Sequence, residues 1–237
     1  MTAPPGPVIP NFSHSGAVSD LDQSDRVGIA AAVDRVEPFR KLRSTVQRRD
    51  PGGGGINVAR VLKRFGADVT VIYVAGGAAG QYLQRLVACE DLRSVVIAIE
   101  EETRQDLSFF ERQGGQHYRF VFSGPMMGAK TQADCLLAIE KLDPAPAFLV
   151  ASGSLPPGLA PEFYALAARS AKTREIKFIL DTSGPALAMA LAERPHLIKP
   201  NLRELRELSG LGLDSEAQII AAAKALVTQG RAELVAR

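Results

Sequence analysis

The feature that most constrains the fold of this chain is a regular alternation of apolar, strand-like segments with helical segments. The run 67–74 is continuous and rich in β-branched residues, which is typical of a buried parallel strand. Segments 148–151, 177–181 and 197–198 repeat the pattern, and each is followed by a turn and a stretch with helical periodicity. This order predicts an α/β fold with a mostly parallel central sheet.

Composition excludes several classes of protein. The chain has 28 basic and 26 acidic residues, and its net charge of +2 indicates no general affinity for nucleic acid or for a membrane surface. Cys89 and Cys135 lack CxxC spacing, so neither a disulfide framework nor a zinc site is predicted. No apolar run approaches about 18 residues, and the N-terminus lacks a signal-peptide pattern. We therefore expect a cytoplasmic protein.

Several segments do not fit the α/β alternation. Residues 29–33 and 42–46 resemble short strands around a polar turn, and residues 103–110 and 118–122 resemble an antiparallel hairpin. We expect the hairpin and the earlier strands to form a small sheet outside the core. The segment 1–28 is rich in Pro, Ser, Gly and Asp without periodicity, and we predict that it is atypical or disordered.

A run of four glycines, Gly52–Gly55, follows Pro51 and leads into a segment with helical spacing. Glycine lets a ligand approach bare backbone N–H groups. A helix N-terminus adds unsatisfied donors and the positive end of the helix dipole. The run therefore suits a phosphate or a polar sugar edge. A flexible linker is the alternative, although linkers usually alternate Gly with Ser. The basic residues just before the run are a solvated face or a phosphate contact.

Small and polar residues follow the strands of the second half, where open α/β sheets bind ligands. They include Ser152, Asp181 and Lys199, of which Ser152 and Asp181 are equally well explained as helix N-caps. Asn201 and Glu204 have the spacing of a capping box. The alternative is that they orient Mg²⁺-bound water near nucleotide phosphates. No catalytic Ser/His/Asp spacing and no P-loop occurs in the sequence.

Several motifs occur in a characteristic order: PGGGGINVAR, AGGAAG, TRQ, YRFV, SGSLPPG, LDTSG and KPNLREL. This order resembles the ribokinase-like PfkB carbohydrate kinases, above all the branch of minor 6-phosphofructokinases, 1-phosphofructokinases and tagatose-6-phosphate kinases. The resemblance implies a three-layer αβα sandwich with a small β-sheet lid, incomplete at the C-terminus. The ribokinase-like domain would span 29–237, with lid strands within 29–50 and 100–123.

The resemblance also implies roles for individual residues. Gly53, Gly54 and Asn57 would hold the sugar hydroxyls, and Lys41, Arg43, Arg104 and Ser154 would approach the sugar phosphate. Lys199, Asn201 and Glu204 would lie on the ATP–Mg²⁺ side, the last two contacting the metal through water. The implied reaction is ATP-dependent phosphorylation of a sugar phosphate, with fructose 6-phosphate as the expected substrate and fructose 1,6-bisphosphate as the product. A homodimer through the lid sheet is also implied.

Two parts of the family pattern have no counterpart in the sequence. The family aspartate that contacts the sugar would fall at Gly28, counting back from the glycines. The Gly-Ala-Gly-Asp segment, which supplies an anion hole and the general base, does not occur, so no catalytic residue is assigned. We expect a chain truncated or altered at both ends, with little or no kinase turnover. The alternatives are a non-catalytic sugar-phosphate-binding module and an inactive product that does not fold stably. The residues do not choose among fructose 6-phosphate, fructose 1-phosphate and tagatose 6-phosphate.

Overall fold

The computed structural model describes residues 16–19, 25–44 and 46–236. Its strands are β1 (Gly16–Ser19), β2 (Arg26–Val33), β3 (Val46–Gly52), β4 (Val69–Ala75), β5 (Arg93–Ala98), β6 (Gln105–Glu111), β7 (His117–Phe120), β8 (Phe148–Ser152), β9 (Lys177–Asp181), β10 (Leu197–Ile198) and β11 (Leu234–Val235). Its helices are α1 (Gly54–Arg64), α2 (Gly77–Cys89), α3 (Ala129–Glu140), α4 (Phe163–Thr173), α5 (Gly184–Ala190), α6 (Leu202–Ser209) and α7 (Glu216–Thr228). A short 3₁₀ turn, Leu191–Glu193, follows α5.

The main sheet has seven strands in the order β11-β10-β9-β8-β1-β4-β5, and every pairing in it is parallel. Strand β4 shows how the layers form, because its side chains alternate between the two faces. Val71 and Tyr73 belong to a core that includes residues of α1 and α2, whereas Ile72 and Val74 belong to a core that includes residues of α3, α4 and α5. The predicted αβα sandwich is therefore confirmed.

The second sheet has four strands in the order β3-β2-β6-β7, and we call it the lid sheet. Strands β6 and β7 form the predicted antiparallel hairpin, and β6 runs parallel to β2. Val27 of β2 is buried in the same core as Ile56 of α1, and the Arg49 guanidinium lies 5.4 Å from the ring centre of Tyr82 in α2. The expectation of a small sheet built from these two regions is thus confirmed.

Two expectations about the first 50 residues are wrong. Residues 16–19 form β1, which lies in the middle of the main sheet between β4 and β8, although they were expected to lack structure. The second lid strand spans Val46–Gly52 instead of 42–46. Its polar sequence gives no strand signal, and its pairing with β2, from Ala32↔Val46 to Arg26↔Gly52, determines its extent. Strand β2 begins and β3 ends slightly beyond the predicted 29–50, whereas β6 and β7 lie within the predicted 100–123. The remainder of segment 1–24 lies outside the described residues.

The strand expected close to residue 237 is present as β11. It pairs in parallel with β10, and the backbone N–H of Leu234 donates to the His196 carbonyl at 2.9 Å. Within the part of the chain that the structure describes, no helix combines the length and the apolar character needed to cross a bilayer.

Candidate functional site

The glycine run forms the junction between the lid sheet and the main domain. Strand β3 ends at Gly52, Gly53 is the N-cap of α1 with φ of 140°, and Gly54 is the first helical residue. A φ in this range is favourable only for glycine. Gly54 also lies against the end of β8, because a Cβ on residue 54 would come within 2.9 Å of the Ser152 Cβ. The run therefore brings the start of α1 to the carboxyl edge of the main sheet.

The second glycine-rich turn, at the start of α2, is capped by a side chain from a later segment of the chain. The Glu102 carboxylate accepts hydrogen bonds from the backbone N–H groups of Ala78 at 3.2 Å and Ala79 at 2.5 Å. A carboxylate in this position stabilises the positive end of the helix dipole. Both helices begin after a glycine N-cap, Gly53 before α1 and Gly76 before α2, and neither glycine supplies a side-chain cap.

The carboxyl ends of β8, β9 and β10 place three predicted site segments next to one another. Ser152 is opposite Asp181 in the register, and the Gly153 N–H donates to the Asp181 carbonyl at 2.7 Å. Lys199 extends from the end of β10, and its Nζ lies 3.2 Å from Asp181 Oδ2. The order along this edge is therefore the glycine run, the Ser152–Ser154 turn, Asp181 and Lys199.

Arg104 reaches the same region from the lid. Its carbonyl accepts from the Val27 N–H at 3.2 Å, and its Nη1 donates to the Phe122 carbonyl at 3.1 Å. The residue is 8% exposed, so its guanidinium is buried close to the start of β2. Since Arg26 at that start pairs with Gly52, the Arg104 backbone lies near the end of β3, where the glycine run begins.

Lys41 and Arg43 are not brought to this region within one chain. Both are exposed and lie on the β2–β3 connection, beyond the Ala32↔Val46 pair. Six residue steps of the hairpin, about 20 Å, separate that pair from Arg26↔Gly52. A basic cluster that precedes the glycine run in sequence is therefore distant from it in the fold.

Asn201 and Glu204 form the capping box that was the structural alternative for this pair. The Asn201 side-chain oxygen accepts from the Glu204 N–H at 3.0 Å, and Glu204 Oε2 accepts from the Asn201 N–H at 2.8 Å. Glu204 Oε1 accepts from the Asn201 side-chain amide at 2.6 Å, so both carboxylate oxygens are engaged. Among the described residues, no group of three or more His, Cys, Asp and Glu is placed to hold a metal. Because both Glu204 oxygens are engaged in the cap, a metal ion at this position would reach Asn201 and Glu204 through its water ligands.

The position expected for the family aspartate, residue 28, carries no carboxylate, but a carboxylate occurs three residues earlier. Gly28 lies within β2, whereas Asp25, just before β2, is 4% exposed, and its Oδ2 accepts from the Val74 N–H at 3.0 Å. The number of residues between this position and the glycine run depends on the length of the β2–β3 hairpin, and the sequence pattern does not predict that length. Asp25 thus lies at the junction of β4 and the lid.

Comparison with known proteins assigns this chain to a protein family. A pfkB family carbohydrate kinase model matches residues 27–237, so the chain belongs to the pfkB family of carbohydrate kinases. It is 39% identical over 215 residues to the ATP-dependent 6-phosphofructokinase isozyme 2 of Mycobacterium tuberculosis, covering 91% of this chain and 63% of that protein. It is 34% identical over 205 residues to the tagatose-6-phosphate kinase of Staphylococcus epidermidis, covering 86% of this chain and 66% of that protein. The chain thus spans less than two thirds of the length of these relatives.

The crystal structure of Escherichia coli phosphofructokinase-2 in complex with fructose-6-phosphate has the same fold. The TM-score is 0.87 at 34% identity, over 94% of this chain and 73% of that one. A more distant structure, a possible 1-phosphofructokinase from Thermotoga maritima, gives a TM-score of 0.79 at 21% identity, over 91% of this chain and 69% of that one. The fold of this chain is thus shared with both solved structures.

Proposed function

We propose that this chain forms the sugar-phosphate side and part of the nucleotide side of a kinase cleft that phosphorylates a sugar phosphate with ATP. Fructose 6-phosphate is the substrate that the names of the relatives favour. The observation that carries the proposal is the alignment of Gly54, Ser152, Asp181 and Lys199 along one sheet edge, with Arg104 above it from the lid.

The proposed roles are those that the resemblance to the family implies for these residues. Gly53 and Gly54, with Asn57 in the first turns of α1, face the sugar hydroxyls, and the buried guanidinium of Arg104 with Ser154 faces the phosphate. Lys199 lies on the nucleotide side, and Asn201 and Glu204 orient water bound to Mg²⁺. ATP would supply the phosphoryl group and Mg²⁺ would neutralise its charge. The work of the chain is then positioning and charge neutralisation, which phosphoryl transfer chiefly requires.

A second candidate function is binding of the sugar phosphate without turnover. It applies to the 237 residues taken by themselves, in which no Gly-Ala-Gly-Asp segment occurs and no general base is assigned to the sugar hydroxyl. Without a base, binding is retained while proton transfer from the hydroxyl is lost.

Two measurements test these proposals on the 237-residue chain. Isothermal titration with fructose 6-phosphate tests the sugar-phosphate cleft, and we expect saturable binding with one site per chain. A coupled ADP-release assay with the same sugar and ATP tests turnover, and we expect a rate near background. Ordinary turnover would support the kinase over the binding module, whereas a cooperatively folded chain that does not bind the sugar phosphate would contradict both.

We also propose that the chain forms a homodimer through the lid sheet. Apolar side chains exposed on or next to this sheet support it, among them Phe110, Phe120 and Phe122 at 38–52% exposure. A related protein, Escherichia coli phosphofructokinase-2, has a tetrameric inhibited form, so self-association occurs in this family. Light scattering on the purified chain tests the proposal: we expect a dimer that Phe120→Asp converts to a monomer. A monomeric wild-type chain would contradict it.

A further inference from the structure

A cavity that the proposed cleft does not use lies at the opposite edge of the main sheet. It has a volume of about 300 Å³ and is formed where three strands begin, because Lys177 is the first residue of β9, His196 precedes β10 and Glu233 precedes β11. We call it the amino-edge cavity. Asp181 lies four residue steps along β9 from Lys177, which is about 13 Å. The cavity is therefore separate from the carboxyl edge that carries the proposed cleft.

The amino-edge cavity combines a buried apolar surface with charged side chains. Its buried apolar residues are Ala168, Ile176, Phe178 and Pro195. Its charged residues, all exposed or half-buried, are Lys172, Lys177, Arg194, Glu175, Glu193 and Glu233. An apolar lining with a small number of polar groups is typical of sites for small molecules. Since one water occupies about 30 Å³ in the liquid, the cavity has room for a ligand of about ten non-hydrogen atoms.

Two of the three carboxylates in the cavity are already paired. Glu193 Oε1 lies 2.5 Å from Arg169 Nη2, and Glu233 Oε2 lies 2.7 Å from His196 Nδ1. The hydrogen bond with His196 lowers the pKa of Glu233, and the nearby cations of the cavity act in the same direction. Both carboxylates therefore have partners that do not include the lysines of the cavity.

The three basic residues of the cavity are not paired in this way. In the described ranges of the chain, none of Lys172, Lys177 and Arg194 forms an ion pair with a carboxylate. With Arg169, four cations and three carboxylates leave a net charge of +1, and protonation of His196 raises it to +2. Like charges that share a cavity repel one another, and an anion between them removes that repulsion.

Two turns at this edge carry charged side chains against the preference of the backbone. Glu175, after α4, has φ of 57°, and Arg194, after the 3₁₀ turn, has φ of 56°. A left-handed residue at the end of a helix is usually glycine, because any side chain is disfavoured there. Both residues line the amino-edge cavity, so each of these positions contributes a charged group to it.

We propose that the amino-edge cavity binds a small organic anion, whose carboxylate or phosphate group is held by Arg194, Lys172 and Lys177. The carbon skeleton of this ligand contacts the apolar surface at Ile176 and Phe178. Arginine suits the task because its planar fork donates two parallel hydrogen bonds to a carboxylate or a phosphate. The site is additional to the proposed cleft and does not depend on it.

Titration calorimetry of the whole chain with glycerol 3-phosphate and with succinate, in a zwitterionic buffer at low ionic strength, tests the proposal. The two probes distinguish a site for phosphate from a site for carboxylate, and we expect saturable binding of at least one. Arg194→Gln should weaken that binding at least fivefold, and Lys172→Gln at least twofold. The matched control is Lys130→Gln, which removes one positive charge from an exposed side chain on α3 and should leave the affinity unchanged.

A second titration in the presence of excess fructose 6-phosphate separates the amino-edge cavity from the cleft, and we expect the affinity for the probe to be unchanged. If fructose 6-phosphate displaces the probe from the wild type and from Arg194→Gln alike, the anion lies in the cleft and the proposal is overturned. The proposal is also overturned if neither probe binds, or if Arg194→Gln and Lys172→Gln bind as the wild type does.

Failure of the proposed function gives a different result. If fructose 6-phosphate does not bind, while a probe binds and Arg194→Gln and Lys172→Gln weaken it, the amino-edge cavity stands and the proposed cleft is wrong. Should Arg194→Gln fail to unfold cooperatively, Lys172→Gln and Arg194→Lys decide. Arg194→Lys retains the charge but loses the planar fork, and it should weaken binding less than Arg194→Gln does.

Discussion

Gly54 packs directly on Ser152, so closely that a Cβ at residue 54 would lie 2.9 Å from the Ser152 Cβ and 3.0 Å from its carbonyl oxygen. This contact joins the first turn of α1 to the carboxyl end of β8. It fixes the glycine run at the edge of the sheet where the other candidate site residues lie.

The first prediction concerns this contact. Gly54→Ala should lower the free energy of unfolding by about 1–3 kcal/mol, because the added methyl group overlaps Ser152 and the two elements must separate. Urea unfolding measures the loss, and a second substitution, Ser152→Gly, should restore part of it. Gly128→Ala is the control, since no atom lies within 4 Å of a Cβ at that position. If Gly54→Ala and Gly128→Ala lowered the free energy of unfolding equally, the contact between Gly54 and Ser152 would not be the cause of the loss.

The second prediction separates capping from nucleotide binding at Asn201. Asn201→Ala should cost about 1 kcal/mol of stability, because the side chain that accepts from the Glu204 N–H is lost. Asn201→Ser retains a capping oxygen and should restore most of that stability, but not the binding of ATP–Mg²⁺ measured with a fluorescent nucleotide analogue.

Ser215 provides the matched control for Asn201, since it forms the same kind of capping box with Gln218 at the start of α7. Ser215→Ala should lower stability by a similar amount and leave nucleotide binding unchanged. If Asn201→Ser binds the nucleotide as the wild type does, Asn201 is only a cap.

The third prediction is a pH dependence at the edge of the main sheet. His196 Nδ1 lies 2.7 Å from Glu233 Oε2, and this hydrogen bond holds the pKa of Glu233 below its ordinary value of 4.5. Because the pKa is lowered in the folded state, its contribution to stability is complete above about pH 4.5 and is lost as the pH falls through the folded-state value. The Glu233 side chain is 49% exposed, so screening by solvent should keep the contribution under about 1 kcal/mol.

Unfolding free energies measured from about pH 7 to about pH 3 test this contribution. Glu233→Gln should reduce stability at neutral pH and flatten the acid limb, whereas Glu140→Gln, at an exposed position on α3, should leave the curve unchanged. If the unfolding free energy fell equally at acid pH in Glu233→Gln and in the wild type, the His196–Glu233 hydrogen bond would not contribute to the pH dependence.

The fourth prediction distinguishes the two cysteines. Cys135 is fully buried, and its burial raises the pKa of its thiol to about 12, whereas Cys89 is exposed. Since the thiolate is the reactive form, a disulfide reagent at about pH 8 should label one thiol in the native chain and the second only after denaturation. Cys89→Ser should leave no native reactivity. Rapid labelling of Cys135 would mean that the core around α3 opens readily.

The parallel sheet and the position of the glycine run could be predicted from sequence, because both depend on local patterns. The β-branched run 67–74 and the later strand segments carry their own hydrophobic signal, and Gly52–Gly55 precede a helix in sequence as in space. Strand β3 could not be predicted in this way. Its residues are polar, and their strand conformation depends on hydrogen bonds to β2. Strand β2 is distant in sequence, so the residues of β3 carry no local signal of this pairing.

The same distinction applies to the candidate site. Motif order by itself determined the family, and it predicts the sugar side at Gly53 and Gly54 and the nucleotide side at Lys199, because each motif is a contiguous stretch. Only the tertiary structure decided which cations meet the glycine run. Hairpin register carries Lys41 and Arg43 to the far end of the lid, and brings Arg26 to Gly52 and Asp106 to Arg26. The physical reason is that charge acts through distance in space, which strand pairing sets and sequence separation does not.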